Sequence, residues 1–218
     1  MISSKFRFIY IHIPKTGGNA LQSSLIPFSD DEIQITEGHH DGINRFGLSG
    51  PITDKKHTNL QFYADALGGE LTNYKVVVSR RHPFERAVSF YYSPHRWIRK
   101  SPKGDWSQIE PIWDESEFLN CLSALHSMVS YITVNEQLRK PDVEIRTEYM
   151  QEDCKQAFDD LKIPVGAKFQ IPNSNMSAGT KEQVLACLSN YELRDAVEQR
   201  YADDMKYFDY PTYLAKGA

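Results

Sequence analysis

The sequence predicts an α/β protein of three layers, αβα, built on a central parallel sheet. Two observations lead there first: Arg7–Ile13 and Tyr74–Ser79 are nearly unbroken apolar, β-branched and aromatic runs, as strands covered on both faces must be. A third observation is their order, because each run is followed by residues of helical periodicity, and Val143–Thr147 is another candidate strand between helical patterns. Strands alternating with helices imply parallel pairing with helices on both faces. No linker or low-complexity stretch interrupts residues 1–218, so a single domain is expected.

Composition narrows the class. With 40% hydrophobic and 25% charged residues the chain can bury a sizeable core. Its net charge of -4 gives no global reason to bind nucleic acid or an anionic membrane, so any anion site must be a local concentration of positive charge. No apolar run reaches the length of a membrane span, and Met1–Lys5 is too short and polar for a signal peptide, which leads to the expectation of a cytoplasmic protein. Cys121, Cys154 and Cys187 are odd in number and fall in helical patterns, so they read as small core residues rather than a disulfide scaffold.

Taken in order, the strand ending near Pro14 runs into Lys15-Thr16-Gly17-Gly18, and a helix from Asn19 to Leu25 follows, with Ala20, Leu21, Ser24 and Leu25 on one side and a stop before Pro27. Residues 29–58 are polar and rich in glycine and histidine, too long for a plain connector, and so form a functional loop or carry short elements. Leu60–Leu67 reads as a helix closed by Gly68-Gly69. After the second strand comes Pro83, suited to a first helical turn, with Phe84, Ala87, Val88 and Tyr91 on an apolar face. Pro94–Pro111, with Trp97, Trp106 and several basic residues, reads as an exposed loop or lid. The spacing of Phe118, Leu122, Leu125, Val129 and Ile132 predicts one long amphipathic helix; Met150, Cys154, Ala157, Phe158 and Leu161 predict another, and Leu193, Val197, Tyr201 and Met205 a closing one.

The chemistry concentrates at the ends of the first two strands. Behind Pro14, two glycines let the backbone approach an anion, the helix start offers unpaired N–H groups, and Lys15 adds a full charge. The Gly-Lys-Ser/Thr loop of ATP and GTP sites needs glycines upstream, where Tyr10–Pro14 stand instead, so a standard nucleoside triphosphate fits poorly. Arg81 at the second strand's end, with Ser89 eight positions on in the following helix, is a second anion signal. In parallel sheets ligands bind outside the carboxyl ends of strands. A ligand with two anionic groups a nucleotide's width apart meets both signals.

These segments resemble the sulfotransferases that use 3′-phosphoadenosine 5′-phosphosulfate (PAPS). Pro14-Lys15-Thr16-Gly17-Gly18 looks like their 5′-phosphosulfate loop, and Arg81-x-Pro83-x-x-Arg86-x-x-Ser89-x-Tyr91 like their 3′-phosphate motif. The closest likeness is to the carbohydrate-type branch, sulfotransferase family 2, which includes heparan sulfate 2-O-sulfotransferase and bacterial members. More weakly, Lys56-His57 resembles a histidine this branch places near the transferred group, Arg146-Thr147-Glu148-Tyr149-Met150 its strand-ending acidic segment, and Asn175-Met176-Ser177 its late Asn-x-Ser loop. Where the family usually has Thr then Ser, Asn19 and Ala20 stand, which removes hydroxyl donors but leaves the Asn19 amide.

The resemblance implies a P-loop nucleoside triphosphate hydrolase-like fold, PAPS as co-substrate, and a hydroxyl acceptor that is a carbohydrate or glycosylated small molecule. It implies that Lys15, Thr16, Gly17, Gly18 and Asn19 hold the 5′ end, Arg81, Ser89 and Ser177 the rest of the nucleotide, and that Lys15 and His57 are catalytic. An imidazole with an ordinary pKa of ~6.5 can accept a hydroxyl proton near neutrality; His39 and His40 are the alternatives to His57. Tyr91, Tyr92, Trp97 and Trp106 are candidates for stacking on a sugar, with core packing as the competing role. No His, Cys or carboxylate cluster has metal-site spacing, so no metal is expected. A P-loop-type small-molecule kinase and a non-catalytic nucleotide-binding scaffold remain as other readings.

Overall fold

A computed structural model of the chain describes residues 1–34, 47–103, 106–166, 169–172 and 180–211. They fall into two compact units interleaved along the chain, one drawn from 1–35, 46–81 and 128–175, the other from 36–45, 82–127 and 176–218. Among the described residues the α-helices are α1 (Gly18–Leu25), α2 (Leu60–Leu67), α3 (Pro83–Tyr91), α4 (Glu115–Leu122), α5 (Met150–Asp160), α6 (Thr180–Ser189), α7 (Tyr191–Arg200) and α8 (Ala202–Tyr207).

The first unit is built on a sheet whose strands lie in the order β1 (Ile2–Ser3), β2 (Phe8–Ile11), β3 (Lys75–Arg80) and β4 (Val143–Arg146). β2, β3 and β4 are parallel, with Ile11 level with Val78 and Arg146 level with Arg80. The mixed α/β fold is as expected, with β2 and β3 at the two apolar runs and β4 at the third candidate strand. β1 departs from an all-parallel sheet by pairing antiparallel to β2, Ile2 opposite Ile9; a strand this short has no alternation to read. On one sheet face Phe8, Tyr10, Val77, Val143 and Ile145 pack with Leu21 and Leu25 of α1 and Cys154 and Phe158 of α5. The side chains between them, Ile9, Ile11, Val76 and Val78, are fully buried too, which explains why these strands lack a polar alternation. Asn59 caps α2 by accepting from the Phe62 amide at 3.1 Å, and Gly68 ends it with a positive φ of 54°. Part of the long polar stretch does carry short elements: Glu32–Gln34 pairs with Gly47–Ser49 as a small hairpin.

The second unit gathers α3, α4, α6 and α7 around Phe84, Val88, Tyr91, Phe118, Cys187 and Val197. All three cysteines are buried and unbridged, as expected for small core residues. Tyr91 and Trp97 belong to this core: Trp97 is 9% exposed and its indole Nε1 donates to the Tyr91 carbonyl at 2.7 Å. That removes both from the candidate sugar-stacking residues. The stretch read as an exposed loop or lid holds a turn at Pro94–Trp97 and a hairpin pairing Ile98–Lys100 with Trp106–Gln108.

The long helix expected over residues 118–132 stops at Leu122. The carbonyls that would continue it are taken by side chains from elsewhere: Tyr201 Oη donates to the Leu122 and Leu125 carbonyls at 3.3 and 3.1 Å, and Arg86 Nη2 to the His126 carbonyl at 2.8 Å. The closing helix likewise divides into α7 and α8 at Tyr201, the residue drawn into that bond network.

Arg86 and Asp204, 1% and 0% exposed, face each other at 3.7 Å in this unit. Removing one member of a buried pair strands the other charge, so Asp204→Ala should cost ~3 kcal/mol or more in chemical denaturation. A loss below ~1 kcal/mol would show that the pair does not anchor α8.

Candidate active site

β2 ends at Ile11, and the chain turns at once, Ile13 N–H donating to the Ile11 carbonyl at 3.0 Å. The turn carries left-handed backbone at Lys15 and Gly17, φ 70° and 74°, and α1 begins at Gly18. Left-handed backbone costs a lysine ~1 kcal/mol or more, so the loop must be held by its surroundings. Glycine at 17 supplies no side-chain cap, which leaves the first amide N–H groups of α1 to an outside acceptor.

What holds the loop is a chain of hydroxyls. Thr16, fully buried, turns its side chain inward and donates from Oγ1 to the Ile13 carbonyl at 2.8 Å. Its proton thus spent, Thr16 Oγ1 accepts from Ser79 Oγ at 2.6 Å, and Ser79 in turn accepts from Tyr10 Oη at 2.8 Å. Burial raises the Tyr10 pKa above its ordinary value despite the opposing bond to Ser79, so the phenol stays protonated and can donate. The Thr16 carbonyl is held as well, accepting from Thr147 Oγ1 at 2.9 Å. Only the backbone of Thr16 is therefore available to a ligand.

Two histidines lie behind the loop. His12 is 4% exposed, its Nδ1 2.8 Å from Gln22 Oε1 on α1. Burial, with His57 and Lys56 nearby, holds its pKa well below the ordinary histidine range, so His12 is neutral. His57 is exposed, its ring 4.4 Å from that of His12 in an edge arrangement, and its Nδ1 lies 3.0 Å from the His12 carbonyl. A carbonyl only accepts, so Nδ1 carries a proton and donates it to that bond.

β2 and β3 are neighbouring parallel strands, so the loop after Ile13 and the residue after Arg80 leave the sheet from the same end. Arg81 is there, half-buried, and Arg80 pairs with Glu144 of β4 at 2.9 Å. Lys15 and Asn19 are half-buried in the loop and the first turn of α1. Ser89 belongs to the second unit, on α3, at 3% exposure. Ser177, Asn175, His39 and His40 lie outside the described residues. In the acidic segment after β4, Arg146 forms a bidentate pair with Asp153 at 2.7 and 2.8 Å, and that bond holds the Asp153 carboxyl below the usual range; Glu148 is exposed. Among the described residues no group of three or more His, Cys, Asp or Glu side chains is placed to hold a metal, and no helix is long and apolar enough to cross a membrane.

A family model described as "Sulfotransferase family" matches residues 1–211. The chain is a member of that sulfotransferase family. Searches of curated proteins and of solved structures returned no significant match. The family's activity is sulfuryl transfer, and the sulfotransferase fold expectation agrees with a mostly parallel central sheet flanked by helices.

The inner partners of this sulfotransferase loop, His12, Ser79 and Thr147, were not singled out from the sequence. Their signal was present: each is a polar residue inside or just after an otherwise apolar strand run, where a polar group must find a partner.

The glycines are needed on the inner side. A Cβ on Gly17 would lie 2.3 Å from Met150 Cε, and one on Gly18 2.0 Å from His12 Cδ2. Gly18→Ala should therefore destabilise the protein by ~1–3 kcal/mol, as overpacking does. Combined with His12→Ala, a double-mutant cycle by denaturation should show a favourable coupling of ~1 kcal/mol or more; additive losses would mean the ring does not confine position 18.

Proposed function

We propose that this sulfotransferase moves a sulfuryl group from PAPS to a hydroxyl of a carbohydrate or glycosylated small molecule. The observation that carries the reading is the tethered loop of residues 13–18, opening an uncapped helix beside the strand that ends at Arg80-Arg81. Backbone donors at a helix start plus a lysine suit a phosphosulfate, and an arginine at the neighbouring strand end suits a second phosphate.

PAPS supplies the activated sulfuryl group. The amides of Thr16, Gly17, Gly18 and Asn19 hold its 5′-phosphate, while Arg81 and Ser89 bind the 3′-phosphate, with Ser177 a further contact. As the acceptor oxygen bonds to sulfur in line and the bond from sulfur to the bridging oxygen breaks, negative charge grows on that oxygen, and the Lys15 ammonium stabilises it. His57 takes the acceptor proton on Nε2, while its Nδ1–H is held by the His12 carbonyl. His39 and His40 are the alternatives for this role.

The test is transfer of labelled sulfate from PAPS to a panel of glycosides and simple alcohols. Lys15→Ala should lower turnover about a hundredfold or more while weakening 3′,5′-bisphosphoadenosine (PAP) binding far less, because the charge matters most as the bond breaks. His57→Ala should lose turnover with PAP affinity intact. Full turnover in the Lys15 variant, or no transfer to any acceptor by the wild type, contradicts the mechanism.

A further inference from the structure

Thr147 is the first residue beyond β4, and its hydroxyl reaches main-chain carbonyls on two other strand exits. Its Oγ1 lies 2.9 Å from the Thr16 carbonyl, in the loop after β2, and 2.9 Å from the Arg80 carbonyl, at the end of β3. Carbonyl oxygens only accept, so the single hydroxyl proton is shared between them. The Thr147 methyl sits over the same loop, its Cγ2 3.6 Å from where a Cβ on Gly17 would be.

A trans peptide points its N–H opposite to its C=O, and no described peptide bond is cis. The Thr16 carbonyl shares a plane with the Gly17 N–H, and the Arg80 carbonyl with the Arg81 N–H. Drawing both carbonyls toward Thr147 turns both amides away from it. The Gly17 and Arg81 N–H groups therefore point opposite to the carbonyls that Thr147 holds.

We propose that Thr147 is a positioning residue that sets both peptide planes together, so that the backbone donors for the 5′ end of the nucleotide and the backbone beside the 3′-phosphate arginine are oriented by one hydroxyl. This rests on the reading that the loop and Arg81 hold the two ends of PAP. The hydroxyl chain from Tyr10 through Ser79 fixes the Thr16 side chain; Thr147 fixes the Thr16 carbonyl. Neither substitutes for the other, because they grip different atoms of one residue.

Thr147→Val keeps the side-chain shape and deletes the hydroxyl, and Thr147→Ser keeps the hydroxyl; Thr147→Ala makes the same deletion should valine not fold. PAP titrated calorimetrically should bind the valine or alanine variant about tenfold more weakly than wild type, and the serine variant within about twofold. In amide proton–nitrogen spectra without ligand, the Gly17 and Arg81 resonances should move together on losing the hydroxyl and return in the serine variant. Unchanged PAP affinity in a folded hydroxyl-less variant, a lower melting temperature with neither amide moved, or movement of only one amide would overturn the proposal. Failure of wild type to bind PAP would instead remove the nucleotide reading, while the amide spectra still report whether Thr147 sets both planes.

Discussion

A row of oxygens running from Tyr10 through Ser79 and Thr16 to the Ile13 carbonyl holds the turn between β2 and α1 in shape. Everything proposed for the site depends on that row. The turn carries left-handed backbone at Lys15 and Gly17, at a cost of ~1–2 kcal/mol for the lysine. Buried hydrogen bonds worth ~1 kcal/mol each offset that cost, and leaving any one of these hydroxyls unpaired would cost more than the bond contributes. The row runs in one direction because it ends on a carbonyl, so each hydroxyl has a defined role as donor to the next. Side chains that might have met a ligand are spent on structure, which leaves the contacts proposed for the loop to its backbone and Lys15.

The histidine pair extends the same logic to the base proposed for the reaction. His12 sits within the apolar surroundings of β2 and stays neutral, packed against Gly18 and bonded to Gln22. Its main-chain carbonyl, not its ring, accepts from the Nδ1–H of His57. A buried residue thereby orients an exposed one, and a change at His12 would reach His57 through the backbone position as well as through the ring contact.

Much of this was legible in the residue pattern. Continuous apolar runs announced β2 and β3, since strands buried on both faces have no polar side to show, while β4 was marked by the alternation of Val143 and Ile145 with Glu144 and Arg146. Pro83 and Gly68 marked a helix start and a helix end because their backbone preferences are local. The misread elements share a different cause. Residues 118–132 have helical spacing throughout, yet Tyr201 and Arg86 capture the carbonyls the helix would have used, and a competition from across the sequence leaves no trace in local periodicity. Tyr91 and Trp97 were ambiguous between site and core for the same reason, and packing resolved them as core. For the site, glycines and charges were visible as a motif, whereas the hydroxyls that orient the loop are ordinary serine and threonine at strand ends, whose importance depends on what they face.

On the proposed reading, the exits of β2 and β3 together recognise a nucleotide carrying phosphate at both its 5′ and 3′ positions. Calorimetric titration of the wild-type protein with PAP, 5′-AMP and Mg-ATP under one set of conditions tests it directly. PAP should bind at least about tenfold more tightly than either of the others, because charge-assisted bonds to the 3′-phosphate are available only to PAP. Equal affinity for PAP and 5′-AMP, or tighter binding of Mg-ATP, would contradict it.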